Sequence, residues 1–453
     1  MREQPTADLD LLDFVVQSAV AAGADQAEAF AQRSLSRRIK VFGGEVEELT
    51  QSARSGVGLR VVRSGSVGYA YGSSISRATV RTLVDRALEH AAATDPDQYA
   101  GLAAPAVDYP SVDVHNPRFD DLSVDQKVEI ARLAERAALE HDRRVKLVEE
   151  TVYADADAEV AVVNSLGVRG SYRENDCHLF LYVLAEDDGP VETGIAYDVG
   201  RDPAHLDAVA CGNEAAARAC RLLGARPCAS FKGTAVMEPY VAASLVNVLG
   251  LALTAEAVQK GRSLFADLEG QEVAAPLVTL LDDGTHPQGL ASAPFDDEGT
   301  ACRTTRLLAE GVLQGFLYDV RTARKAGRES TGNGGRGSYA SLPTVRPTNL
   351  VLRGSVTPVA DIVAGIERGV LVTDAVGVHS GANPVSGEFS VGISGILIEN
   401  GALRGPLREV TLSSDLLSML KNIVALGDDA QWVPIGSVLV PSVAIEGMSV
   451  AGS

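Results

Sequence analysis

Residues Pro239 to Gln259 read PYVAASLVNVLGLALTAEAVQ, and the fold turns on how this stretch is read. From Pro239 to Ala255 no residue is charged. Pro239 suits the first position of a helix, because its missing N–H is not needed there and its φ is already helical. Small and aliphatic residues follow with no polar stripe. A helix that is apolar on every side is buried, either in protein or in lipid. A membrane span needs about 20 residues; this run is shorter, holds Asn247 and Gly250, and has no basic cluster close by. The stretch therefore predicts a buried helix at the centre of the second half of the chain.

Composition narrows the function. The 453 residues carry a formal net charge of −20. Binding to nucleic acid or to an anionic membrane needs a basic footprint, so neither is expected. The first residues, MREQPTADLD, lack the charged-then-apolar order of a signal peptide. Five cysteines, with no CxxC, fit free thiols in a reducing compartment. A cytoplasmic location is expected.

Outward from the helix, the fold class reads as α+β. An N-terminal α/β region with antiparallel strands and helices precedes a β-rich C-terminal domain built around the buried apolar helix. Residues 8–22 and 76–92 have helical periodicity. Short strands at Arg38–Phe42 and Val46–Thr50 flank Gly43-Gly44, a hairpin signal. These elements make up a region over 1–100. Residues 101–118, rich in Pro, Asp and Ala, read as a linker crossing the surface. A central α+β region spans 119–225 and opens on a capping box, Ser123-x-x-Gln126. From 226 to 453, short apolar pieces alternate with Gly, Asp and Pro turns.

Few motifs carry chemistry. Gly332-x-Gly334-x-x-Gly337 matches a dinucleotide fingerprint only as a pattern: no strand precedes it and no helix follows. A mobile Gly-rich loop is expected instead. The seven His are scattered, no two within one helical turn, so neither catalytic nor metal-binding residues are assigned. Asp282-Asp283 and Asp296-Asp297-Glu298 stand beside turn residues and read as solvated turns. The loop Gly377–Gly401 is dense in glycine, which means tight turns or close backbone approach. His379 and Asn383 in that loop, and Asn333 in the earlier Gly-rich loop, are the substrate-binding candidates.

Several long stretches in order then resemble one family. They are PQGLASAPFDDEGTACRT from Pro287, GVLQGFLYDVRTARKAGRESTGN from Gly311, GVHSGANPVSGEFSVGISGILIENG from Gly377 and GSVLVPSVAIEGMSVAG from Gly436. The chain resembles the TldD/TldE (PmbA) family, and within it the TldE/PmbA-like branch. The resemblance implies a cytoplasmic two-subunit metallopeptidase that admits unfolded peptides to an enclosed chamber. Zinc is expected on the TldD-type partner, whose HExxxH motif lies on a helix of the second half, with a further Cys ligand near the C-terminus. Here the corresponding helix, YVAASLVNVLGLALT, has no His and no Glu, and Gly427–Ser442 has no Cys. The resemblance thus implies a non-catalytic subunit with no cofactor of its own, partnered by a TldD-type subunit and an unfolded peptide, or by a second copy when alone. The alternative is a stand-alone enzyme or peptide-binding protein with a rebuilt site around Asn333, His379 and Asn383.

Overall fold

The computed structural model describes residues 8–73 and 75–452. Its first half is one six-stranded antiparallel sheet with helices on one face. In chain order it contains α1 (Leu9–Ala21), β1 (Gln26–Phe42), β2 (Glu45–Arg63), β3 (Ser66–Gly72), α2 (Val80–Ala92), α3 (Val124–His141), β4 (Val145–Asn164), β5 (Arg169–Ala185), β6 (Glu192–Gly200) and α4 (Ala208–Arg221). The strand order is β3-β2-β1-β4-β5-β6, so the residues before and after 101–118 share a single sheet.

The hairpin at Gly43-Gly44 is present, with strands far longer than the short pieces expected around it. β1 lies between β2 and β4 and pairs with both over most of its length. Its polar middle, Gln32–Arg38, is held extended by those neighbours, not by its own strand propensity. Side chains then alternate between faces. On one face Ala27, Ala29, Leu59 and Val61 pack under α1 and α2, while Cys177, Leu179, Leu181 and Val183 pack under α3 and α4. The capping box is formed: Gln126 N donates to Ser123 Oγ at 3.3 Å, and Ser123 N donates to Gln126 Oε1 at 2.8 Å.

The second half begins with β7 (Phe231–Met237) and α5 (Pro239–Ala252). β7 pairs with Arg368–Val376 on one side and with Val443–Ala451 on the other. Through Glu388–Glu399 and Ala402–Asp415 the ring closes into a β-barrel. A second, six-stranded sheet contains Thr279–Asp283, Leu350–Arg353, Gln431–Val433 and Val438–Val440. α5 sits between the barrel and this sheet. Its apolar surface is explained by that position. Val241, Leu245, Val246, Leu249 and Ala252 are all buried in the largest core of the chain. Gly250 is required by close packing, since a Cβ there would lie 2.4 Å from Leu350 Cδ1. Among the described residues no helix is long and apolar enough to cross a membrane.

The two halves meet across a buried ionic seam. Glu28 on β1 stands directly opposite Arg60 on β2. Arg60 donates to Glu28 at 2.7 Å and to Glu298 at 2.9 Å, and Arg336 pairs with the other Glu28 oxygen. The Arg336 guanidinium also lies over the Phe30 ring, 4.7 Å from its centroid. This corrects two sequence expectations. Asp296 and Glu298 are 8% and 1% exposed, and Asp282 is 1% exposed; they are interior groups, not solvated turns. The Gly-rich loop is also pinned in place. Tyr339 fills a cradle where a Cβ on Gly56 would come within 2.3 Å of its ring, and its carbonyl accepts from Tyr69 Oη at 2.7 Å. The glycines allow the loop to lie against β2 rather than to move. Residues 101–118 likewise do not simply cross the surface: Leu102, Ala103 and Val114 are buried, and Ala103 O accepts from Asn164 Nδ2 at 2.8 Å.

Because Glu28 is fully buried, Arg336→Ala leaves one of its oxygens without its cationic partner. The expected loss of stability is about 3–5 kcal/mol, read by urea denaturation. A loss below about 1 kcal/mol would show that the seam does not hold the halves together.

Candidate functional site

Glu238 precedes α5, and its carboxylate points away from the helix N-terminus. Arg221 Nη2 of α4 reaches both carboxylate oxygens, at 2.6 and 2.8 Å, and Arg218 Nη1 lies at 3.3 Å. Tyr240 packs on Tyr197 of β6, with ring centroids 5.8 Å apart. The start of α5 is therefore fixed by the central part of the chain. Charge-assisted hydrogen bonds of this kind are roughly twice as strong as neutral ones.

Further along, Asn247 is the one amide on α5. A Cβ on Gly436 would lie 2.3 Å from its Oδ1, and Gly436 takes a left-handed φ of 69°. The helix thus packs against the C-terminal segment, touching Gln431–Val433 and Val438–Val440. The two stretches where the resemblance places metal ligands in zinc-bearing relatives lie side by side here. Neither stretch holds a histidine or a thiol, and the carboxylates Asp428 and Asp429 are engaged with Val359 N, Ser442 N and Ser442 Oγ instead of facing α5. Among the described residues no group of three or more His, Cys, Asp or Glu is placed to hold a metal. These side chains do not fit a zinc ion, and no step through a metal is derived for this chain.

Polar chemistry is concentrated next to this join, in an internal network. Asn349, fully buried, donates from Nδ2 to Asp283 O at 2.6 Å and to Ser292 Oγ at 2.9 Å, and its Oδ1 accepts from Ser437 Oγ at 2.7 Å. Asn333 belongs to a similar knot. Its Nδ2 donates to Asp282 Oδ2 at 2.7 Å and to Arg346 O at 2.9 Å, and its Oδ1 accepts from Thr331 Oγ1 at 2.6 Å. With 2% exposure, its amide is engaged inside the protein. Burial pushes the Asp282 carboxyl up to about 6, against the hydrogen bonds from Asn333 and Thr348.

His379 and Asn383 lie elsewhere, on the exposed turn around Val378–Gly381. Asn383 Oδ1 caps the turn that follows, accepting from Val385 N at 2.9 Å and Ser386 N at 3.2 Å. Beneath it a groove of about 610 Å³ runs over the outer barrel wall, lined by Ser380, Asn383, Glu388, Ser390, Ser413 and Ser449. The structure thus keeps His379 and Asn383 together and sets Asn333 apart from them. A second cleft, of about 440 Å³, lies where Arg201 and His205 face Gln288 and Trp432. Arg201 ties this junction, donating to Val114 O and Asn175 O at 2.9 and 2.7 Å and to Gly289 O at 2.6 Å.

Sequence reasoning missed the Glu238–Arg221 clamp and the Asn349 hub. A signal was available for the ionic seam: Glu28 in AEAFA and Arg60 in GLRVV are lone charges inside apolar strands, where a buried charge needs a partner. No local signal marks Asn349, whose partners come from segments distant in the chain.

Glu174 on β5 offers a test of the electrostatics at the boundary between the halves. Burial raises its carboxyl to about 7, with Arg201 opposing and Asp176, Asp297 and Asp157 adding to the rise. Its folded pKa lies above the ordinary 4.5, so the folded chain binds the extra proton. Stability then falls as the pH rises through that window. Glu174→Gln should raise stability by roughly 1 kcal/mol at pH 8 and change it little at pH 4, measured by thermal melts. Equal effects at both pH values would refute the assignment.

Family models cover the chain in three segments. It matches the PmbA/TldA metallopeptidase domain 1 over residues 27–91, the central domain over 117–223 and the C-terminal domain over 230–452. It is 28% identical over 430 residues to the metalloprotease PmbA of Escherichia coli O157:H7, covering 93% of this chain and 92% of that protein. Among solved structures it is similar to a putative modulator of a DNA gyrase from Thermotoga maritima, with a TM-score of 0.90, 28% identity and coverage of 98% and 99%. TldE from Thermococcus kodakarensis shares the fold, with a TM-score of 0.90, 23% identity and coverage of 98% and 100%. The chain belongs to the PmbA/TldD metallopeptidase family.

Proposed function

We propose that this chain is a non-catalytic, TldE/PmbA-like subunit of a TldD/TldE-type metallopeptidase complex that processes or degrades unfolded peptides. Zinc would sit on the TldD-type partner. The observation that carries this reading is the join between α5 and the C-terminal segment. The elements that meet there, α5, Gln431–Val433 and Val438–Val440, carry no histidine, carboxylate or thiol to hold a metal that would activate water. In this reading the chain supplies a chamber wall and peptide contacts. The groove beside Asn383, rich in hydroxyls, is the surface where an extended peptide would touch it; His379 stands next to the lining residue Ser380 and does not itself line it. Cys177, Cys211, Cys220, Cys228 and Cys302 are all unpaired, which supports a reducing, cytoplasmic setting.

The test is co-expression with a zinc-bearing, TldD-type subunit from the same source. The two chains should co-purify, and the pair should hydrolyse an unfolded peptide at least about tenfold faster than either chain alone, a difference of about 1.4 kcal/mol in barrier. Metal analysis of this chain alone should show no stoichiometric zinc. Equal hydrolysis with and without this chain, or zinc and turnover on the chain by itself, would overturn the proposal.

A further inference from the structure

The cleft of about 440 Å³ at Arg201 is lined from both halves of the chain. Its size falls within the range of small-molecule sites. Val199, Leu206, Pro287 and Leu290 give it aliphatic walls, and Trp432 adds an aromatic one. Arg201 is held there by backbone carbonyls alone. Its Nη1 donates to Val114 O and Asn175 O, and its Nη2 donates to Gly289 O at 2.6 Å and to Leu290 O at 3.2 Å. Carbonyls are neutral, and Arg201 makes no ion pair among the described residues. Burial pulls its pKa down, while Glu174, Asp176 and Asp113 act from a distance to raise it. The carboxylate in the lining, Asp202, is already paired with Arg118 at 3.2 Å.

A guanidinium has five N–H groups. The one on Arg201 Nε is shielded from solvent and has no hydrogen-bond partner, and the indole N–H of Trp432 is in the same state. A buried donor left unpaired is costly. Two such donors, on two residues that line one cleft, call for an acceptor brought by a ligand. We propose that this cleft binds a singly charged carboxylate that carries an aliphatic group, either the carboxy end of a peptide or a small free acid. One unpaired cation matches one negative charge. Two orphaned donors match the two oxygens of a carboxylate in number. A phosphate brings more charge and more oxygens to the same two donors, beside Asp202. The site stands independently of the subunit reading, because this chain supplies every group named.

Trp432 is the single tryptophan of the chain, so its fluorescence reports on this cleft. N-acetyl-L-leucine should change that emission saturably, with half-saturation at about 1 mM. The neutral N-acetyl-L-leucinamide should bind at least about tenfold more weakly. Gln288 lines the cleft and is exposed, so changes there leave the fold intact. Gln288→Glu should weaken the acid about threefold and Gln288→Lys should tighten it about threefold, with the amide indifferent to both. Trp432→Phe removes the N–H and keeps an aromatic ring; it should weaken the acid about fivefold, read by saturation-transfer NMR of the ligand. The peptide Ala-Ala-Leu separates the two sources: binding about tenfold tighter than N-acetyl-L-leucine assigns peptide ends, and equal binding assigns a free acid. No saturable response to the acid, equal binding of acid and amide, the same shift in both Gln288 variants, or unchanged affinity in Trp432→Phe would overturn the proposal.

Discussion

Glu28 and Arg60 face each other across two strands whose neighbouring residues are apolar, and both are buried. Taking such ions out of water costs several kcal/mol each unless partners of opposite charge surround them. In this chain those partners arrive from far away in sequence: Glu298 and Arg336 belong to loops of the second half. The sheet of the first half is therefore incomplete, electrostatically, until the second half docks on it. Gly56 and Gly58 are the steric counterpart of that dependence, since the space their missing side chains leave is filled by Tyr339 and by the Tyr69 hydroxyl. Charge and shape together fix one relative placement of the two halves.

α5 is organised by the opposite principle. It is held by packing between a closed barrel and a six-stranded sheet, and its surface is apolar because protein covers most of it, Leu251 being the exposed exception. Its first turn is anchored through Glu238 and the arginines of α4, and its last residue through Ser263 Oγ, which donates to Ala252 O at 2.7 Å. A helix fixed at one end by ions and along its length by close packing is rigid, as a scaffold for catalysis has to be. Here that scaffold carries aliphatic groups where a metallopeptidase needs ligands. On the proposed reading the chain keeps the rigid placement and leaves the metal chemistry to its partner.

The polar interior around Asn349, Asn333 and Asp282 links these two regions. Each amide uses donors and acceptors on both sides, so the loops that carry them have little freedom. Satisfied buried networks of this sort specify a single arrangement, because any alternative leaves polar groups unpaired in a low dielectric. Loops rich in glycine and polar residues are here part of the framework, and the exposed turn holding His379 and Asn383 is the exception.

The sequence by itself settled what is local. The capping box at Ser123, the turn at Gly43-Gly44, the start of α5 at Pro239 and the absence of metal ligands along it all depend on residues within a few positions of one another, and all can be read directly. Tertiary structure decided everything that depends on distant partners. β1 is a long strand because β2 and β4 hold it. Asp296 and Glu298 look like turn residues and become interior groups because Arg60 and the backbone N–H groups of Gly334 and Val320 reach them. Asn333 looks like a loop amide and becomes internal because Asp282 and Arg346 claim it. Burial is a property of what folds over a residue, and one-dimensional pattern does not contain it.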